Sequence, residues 1–401
     1  MALEADCTPS SVAALLALID RNCILAPLTP TSWDDTAPLV ATGEVEVRAS
    51  FDAEGRFGLV RTGTEARHPL YAKLREERHP GLVLFSSGST GAPKGAVHDM
   101  SRLLGKYRTR RRSLRTLMFL LFDHIGGLDT LFYCLSNASA VVLIEDRRPA
   151  AVCTAIEHHR VEVLPVAPSF INLMLLSGEH ERHDLSSLRF ITYGAEMMPP
   201  ETLKRCAAAF PGVTLLQKYG TSEVGTLRSP SRSSDSLWVR IGGEGYAWRV
   251  VDGKLEIKAG SAMLGYLNAP SPFTEDGWFR TGDCVEVDGD YVHFLGRASD
   301  VINVGGQKVF PAEVEAVVRQ MDNVRDVAVS GEGNPILGQI VVARVQLLAP
   351  EDPVTLRARL RQFAAGRLEA FKVPMKVTVA TEDLVNRRFK QVRSAGAGAS
   401  Q

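Results

Sequence analysis

Residues 82–95 read LVLFSSGSTGAPKG, an apolar run that passes directly into four hydroxyl residues, three glycines and a lysine. The apolar part has the length and texture of a buried strand. The rest suits phosphate. Glycines let backbone N–H groups approach phosphate oxygens, the hydroxyls of Ser86, Ser87, Ser89 and Thr90 add donors, and Lys94 adds a cation. The spelling departs from the P-loop of kinases and GTPases, because no Gly-Lys-Ser/Thr closes a G-x-x-x-x-G-K frame and Pro93 precedes the lysine. A plain surface turn would need neither the lysine nor so many hydroxyls. The segment is therefore expected to grip phosphate at a strand end through Ser86, Ser87, Gly88, Ser89, Thr90, Gly91 and Lys94.

Outward from this loop, AVVLIE, VEVLPVA, LRFITYG and TLLQKYG alternate with amphipathic stretches as far as about residue 223, which predicts a largely parallel sheet covered by helices. One such stretch, Pro200 to Phe210, opens with prolines and sets Leu203, Ala207 and Phe210 on one face. From 224 to 295 the texture changes to short Gly-rich strands, an antiparallel extension of the same domain. After Gly296-Arg297 a small α+β unit is expected: a short strand at Val301, a helix opened by Pro311, strands near 325–330 and 339–347, a second helix through Leu356 and Leu360, and a last strand at 376–380. The predicted fold class is α/β, with a large domain over residues 1–297 and a small C-terminal α+β domain over 298–401.

A chain of 401 residues, 45% of them apolar, has material for two cores. Its 46 basic and 46 acidic residues cancel, so no global field draws it to nucleic acid or anionic lipid. Cys7, Cys23, Cys134, Cys153, Cys206 and Cys284 form no Cys-x-x-Cys pair and no zinc-ligand spacing, and read as reduced core thiols. MALEADCTPSS lacks the basic start and apolar run of a signal peptide, and the longest apolar stretch, Leu117 to Phe122, is too short to span a bilayer. A cytoplasmic protein with no membrane partner is expected.

With the loop S-S-G-S-T-G-A-P-K-G stand His124-Ile125-Gly126-Gly127, Tyr193-Gly194-Ala195-Glu196, Tyr219-Gly220-Thr221-Ser222-Glu223, Gly277-Trp278-Phe279-Arg280-Thr281-Gly282-Asp283, and Gly296-Arg297 through Glu315, in that order. In these blocks the chain resembles the adenylate-forming superfamily: acyl- and aryl-CoA synthetases, peptide-synthetase adenylation domains and firefly luciferase. The resemblance covers almost the whole chain. It implies ATP-dependent activation of a small organic acid, aryl or short acyl, as its acyl-adenylate, followed by transfer to a thiol, with coenzyme A first and a carrier-protein phosphopantetheine second. Transfer to an amine, activation of an inorganic oxoacid such as nitrite, and a nucleotide-binding regulator without catalysis stay open beside it.

The resemblance also assigns roles. Glu223 would hold Mg2+, with Thr221 and Ser222 near the phosphates, and chemistry on a polyanion independently requires such cationic partners. Tyr219, with Gly220 and the Gly194-Ala195-Glu196 backbone, would hold adenine. Asp283 would accept the ribose hydroxyls, assisted by Arg297. His124 would gate the acyl pocket, and Ile125 stands where amino-acid-activating relatives carry aspartate, which argues against an α-amino acid. Ser299 occupies the hinge position about which the small domain turns, bringing the loop with Gly305 and Gly306 to the active site for thioester formation. Relatives end in a Leu-Pro stretch leading to Gly-Lys, whereas this chain reads Asp383-Leu384-Val385-Asn386-Arg387-Arg388-Phe389-Lys390-Gln391-Val392-Arg393, and Lys390 is taken as the adenylation lysine. Lys106, Arg108, Arg110, Arg111, Arg112 and Arg115 read as a solvated helix face, with CoA phosphates or an acidic carrier protein as the functional alternative. The phosphate loop begins earlier than in most relatives, so an abbreviated N-terminal subdomain is expected, its open wall coverable by a homodimer.

Overall fold

The computed structural model describes residues 1–30, 35–87, 93–243 and 245–393. Gly88, Ser89, Thr90 and Gly91 of the phosphate loop lie outside the described residues, as does the Ser87 side chain.

Two sheets carry the N-terminal part of the chain. In the first, the strands run Gly265–Tyr266, Pro93–Asp99, Gly81–Ser87, Ile24–Leu28, Ala2–Glu4, Val47–Phe51 and Phe57–Arg61 from edge to edge. Gly81–Ser87 pairs antiparallel with Pro93–Asp99, so the two strands that flank the phosphate-loop sequence lie side by side. In the second sheet, Thr214–Thr221, Phe190–Gly194, Val163–Val166, Thr116–Met118 and Val141–Leu143 are parallel neighbours, and Gly225–Leu227 adds an antiparallel edge. These parallel strands are Val/Ile/Leu-rich because helices cover them. Phe170, Met174, Ile156 and Leu203 from those helices pack on Leu117, Leu164, Ile191 and Leu215, all buried. Pro149, Pro168 and Pro200 open the three helices, where a missing N–H costs nothing.

Trp238–Val239, Tyr291–Arg297, Phe279–Asp288, Lys254–Ala259 and Tyr246–Val251 form a five-stranded antiparallel sheet whose long strands, Phe279–Asp288 and Tyr291–Arg297, pair through Asp283↔Arg297. The small C-terminal domain has its own sheet, with Gly338–Leu347 at its centre, Val324–Asn334 antiparallel on one side of it and Lys376–Val379 parallel on the other. Its separate core joins Val314, Val318, Val327, Val329, Leu356 and Leu360. The predicted helix at Pro311 spans Pro311–Val318 and the predicted strand at Val301 is Ile302–Val304.

Two expectations are corrected. Arg108 to Arg115 are not a helix face: the helix ends at Leu104, a single 3-10 turn covers Gly105–Tyr107, and the arginines that follow lie on an exposed irregular stretch. Lys106 turns inward instead, paired with Asp129 and donating to the Thr226 carbonyl at 3.1 Å. Of the cysteines, Cys134, Cys153 and Cys206 are buried core thiols, while Cys7, Cys23 and Cys284 are half-buried; all six are free. No helix among the described residues is long and apolar enough to cross a membrane.

Candidate active site

Strands Phe190–Gly194 and Thr214–Thr221 run in register to Gly194↔Lys218 and end at one edge, where open parallel sheets place their crevices. The approach there is tight: a Cβ on Gly194 would lie 2.4 Å from the Lys218 carbonyl oxygen, so only glycine fits. Ala195 follows with φ +68, a left-handed turn uncommon without glycine, and lines the crevice. Large- and small-domain residues together enclose a cleft of about 680 Å3, lined by Ser86, His124, Ala195, Tyr219, Glu223, Arg297 and Lys390, among others.

One wall is built from Tyr219, Asp283 and Arg297. The Tyr219 ring stacks on Phe294 with centroids 4.5 Å apart, and its hydroxyl donates to Asp283 at 2.6 Å. Arg297 Nε lies 3.1 Å from the other Asp283 oxygen. Burial lifts the Asp283 carboxyl above its usual range, opposed by Arg297 and then Tyr219. Burial also pushes the Tyr219 phenol well up, so its hydroxyl remains a donor.

Beside that wall, the Glu223 amide donates to Thr221 Oγ1 at 3.3 Å and Tyr266 donates to Glu223 Oε1 at 2.6 Å. The second Glu223 oxygen has no hydrogen bond among the described residues. A single carboxylate oxygen with room for water fits a hard cation such as Mg2+, which usually keeps several of its waters. Lys94 reaches the same corner, 5.7 Å over the Tyr266 ring. Fully buried His98 stands behind it, its Nε2 2.6 Å from the Ser222 carbonyl; burial lowers its pKa, which makes it a neutral ring donating to that carbonyl.

His124 caps the helix Ile125–Ser136, Nδ1 accepting from the Gly126 amide at 3.1 Å. Burial, then Lys390 and Arg388, hold its pKa well below the ordinary value. The ring is therefore neutral, and with Nδ1 accepting, its proton sits on Nε2.

Lys390 arrives from the far end of the chain on a strap fastened at several points. Asn386 and Lys390 close a turn through Asn386 N to Lys390 O at 2.9 Å and Lys390 N to Asn386 Oδ1 at 3.0 Å, with Phe389 at φ +57 inside it. Phe389 packs into the large-domain core, its ring 5.2 Å from Phe119 and 5.5 Å from Phe170. Arg388 pairs with Asp123 at 2.8 Å, the side chains 15% and 1% exposed. Arg147 donates to the Arg387 carbonyl at 2.8 Å. The Gln391 amide donates to Glu196, which also takes the Ser169 hydroxyl at 2.6 Å. On its other side the strap holds the small domain, through a bidentate Arg393–Glu315 pair with both bonds at 2.9 Å and through Arg319 to Gln391 at 2.9 Å. Burial lowers the Lys390 amine to about 8, assisted by Arg388 and opposed by Glu196.

The structure thus brings Ser86, His124, Gly194, Ala195, Tyr219, Gly220, Thr221, Ser222, Glu223, Arg297 and Lys390 around one cleft, with Asp283 and Glu196 lining its continuation. Gly305 and Gly306 stand apart, exposed at a hairpin tip with φ +58 and +87. Sequence reasoning assigned Glu196 a backbone role, whereas its side chain ties down the strap. It passed over Lys218, Asp123 as the Arg388 partner, Phe389 and Tyr266. For Lys218 a signal existed: strand parity sets it on the face opposite Tyr219.

A fold of two layered domains with a strand-end cleft between them is that of adenylate-forming enzymes. The family models for AMP-binding enzyme and AMP-binding enzyme C-terminal domain match residues 2–256 and 313–390, and the chain belongs to this family. It is similar to an indoleacetate–CoA ligase of Aromatoleum aromaticum, 30% identical over 76% of this chain and 64% of that protein. It is also similar to 4-coumarate–CoA ligase 4 of Arabidopsis thaliana, 30% identical over 65% of this chain and 52% of that one. The chain thus spans less than two thirds of the length of these curated relatives. In fold it is similar to the amide bond synthetase McbA from Marinactinospora thermotolerans, with a TM-score of 0.77 and 23% identity over 98% of this chain and 88% of that one.

Proposed function

We propose that the chain activates a small organic acid with ATP as its acyl-adenylate and transfers the acyl group to a thiol, coenzyme A before a carrier-protein phosphopantetheine. The observation that carries this reading is the delivery of Lys390, from residues near the chain's end, into the cleft that Thr221, Glu223 and Arg297 line. The names of the CoA-ligase relatives support a thiol acceptor.

The acid carboxylate and the triphosphate repel each other, so their in-line approach needs fixed cations. Lys390, with its amine at about 8, is largely protonated at neutral pH and can donate to the acid oxygen and the α-phosphate together. Arg297 and Lys94 add charge at the phosphate side. Mg2+, held by Glu223, would supply further charge neutralisation at the phosphates. Tyr219 would hold adenine, and Asp283 would accept the ribose hydroxyls. An acid oxygen bonds to the α-phosphorus as the bond to pyrophosphate breaks. In the second reaction the thiol sulfur bonds to the acyl carbon, its proton is released and AMP leaves. For that step the domain beyond Arg297 would turn about Ser299, and the Gly305-Gly306 tip, free of Cβ atoms, would admit the pantetheine arm. The domain boundaries 1–297 and 298–401 belong to this proposal.

Acid-dependent ATP–pyrophosphate exchange tests it against a panel of aryl, short-chain, long-chain and amino acids. Exchange is expected with at least one small acid and should fall about 100-fold or more in Lys390→Ala with ATP binding retained. ATP binding without exchange for any acid would sink the reading and favour a nucleotide-binding regulator.

A further inference from the structure

Lys218 precedes the adenine-side tyrosine, and strand alternation sends the two side chains to opposite faces of Thr214–Thr221. Tyr219 goes to Phe294 and Asp283; Lys218 goes toward the helix Ile125–Ser136. On the Lys218 side Gly220 leaves no side chain, since a Cβ there would lie 2.8 Å from the Gly225 carbonyl oxygen and Thr226 Cα. The part of the cleft that remains is lined by His124, Gly126, Asp129, Thr130, Lys218 and Thr226. It lies across the strand from the nucleotide wall, where an acid's carbon skeleton has to go.

An acyl pocket for a plain hydrocarbon acid would be apolar throughout, whereas this cleft sets Asp129, Thr130 and Lys218 among Leu120, Ile125, Pro165 and Val166. Among the described residues, the Lys218 amino group has neither a hydrogen bond nor an ion-pair partner. The nearby carboxylate is already engaged: Asp129 pairs with Lys106 and accepts the Tyr107 hydroxyl at 2.6 Å. Lys106, Arg111 and Arg228 lie near enough to act on the Lys218 amine electrostatically, against Asp129. The Lys218 side chain is exposed where it lines the cleft, so its ammonium is open to an incoming anion.

We propose that the activated acid carries a second anionic group, a carboxylate at the end remote from the one that is adenylated, and that Lys218 receives it. The inference rests on the adenylation reading and narrows its substrate class. The first carboxylate meets Lys390 and the second meets Lys218, so the substrate is selected by charge at both ends.

The test is pyrophosphate exchange with pairs of acids that differ by the second carboxylate: glutarate against pentanoate, and terephthalate against benzoate. Wild type should prefer a diacid of suitable length by roughly 100-fold in kcat/KM, the order of effect expected when a site built for a polar group meets an analogue without it. Lys218→Met should abolish that preference, lowering the rate with the diacid and raising it with the neutral acid, at unchanged KM for ATP. Lys218→Arg should keep the preference for diacids in part. Exchange that favours monoacids in wild type overturns the inference while leaving the adenylation reading intact. So does a Lys218→Met variant that raises the KM for ATP equally for all acids, which would give the lysine to the phosphates. Exchange with no acid of either kind overturns both.

Discussion

The strand Thr214–Thr221 and the strap Val385–Arg393 bring side chains to the same cleft by opposite means. On the strand, the neighbour's register sets each position, and Tyr219 is held by Phe294 and Asp283 within the same layered core. The strap has one isolated bridge, Val385↔Gln391, and otherwise no regular structure. Its position is set by contacts with both domains: Phe389 and Arg388 on one side, Arg393 and Gln391 on the other. The first kind of site exists whenever the domain is folded; the second exists only while two domains are docked. The difference teaches that perturbing the strap should cost activity with little cost in global stability, and perturbing the strand-side wall should change nucleotide affinity.

The largest break should come from Asp123→Ala. It removes the buried carboxylate that Arg388 pairs with, a loss of about 3–5 kcal/mol if the strap stayed docked. Undocking is the cheaper response, so pyrophosphate exchange should fall by about 10- to 100-fold while the melting temperature of the large domain moves by only a few degrees. An unchanged exchange rate would show that the strap does not depend on this pair.

A smaller effect comes from pH. In the proposed reaction Lys390 acts as a cation, and burial brings its pKa down from 10.5 to about 8. A lowered lysine pKa means the proton is lost earlier as pH rises. The kcat/KM for exchange should therefore fall above about 8, approaching tenfold per unit, and should not show that limb in Lys390→Arg. A profile flat to pH 10 would remove the lysine from the step.

The smallest effect belongs to the strand side. Tyr219→Phe keeps the stack on Phe294 and removes one hydrogen bond to Asp283, which retains Arg297. The KM for ATP should rise by roughly tenfold, as expected for loss of one bond to a charged acceptor, with kcat nearly unchanged. A fall in kcat instead would mean that this wall also moves during turnover.

The strand side was legible in the sequence because its determinants are local. An apolar run, a Gly that must approach a backbone and a following acid lie within a few residues of one another, as in Tyr219-Gly220-Thr221-Ser222-Glu223. Lys390 was found only through resemblance and its place near Arg393. The partners that hold it, Asp123 and Glu196, lie more than 190 residues away in sequence, at separations of 265 from Arg388 and 195 from Gln391, and no periodicity reports such pairs. The inward turn of Lys106 was missed for a related reason. A run of basic residues reads as one exposed face until tertiary structure supplies the single acid, Asp129, that one of them needs.

Phe389 and Lys390 are adjacent, and the left-handed turn at Phe389 aims one into the large-domain core while the other enters the cleft. Neither can be withdrawn alone. Any motion that carries the small domain away must pull an aromatic ring out of a hydrophobic socket at the moment it removes the ammonium from the reaction. In the proposed two-step reaction the socket would act as an interlock: the ring's departure and the end of the first half-reaction would become a single event, timed by the strength of the Phe119–Phe389–Phe170 cluster.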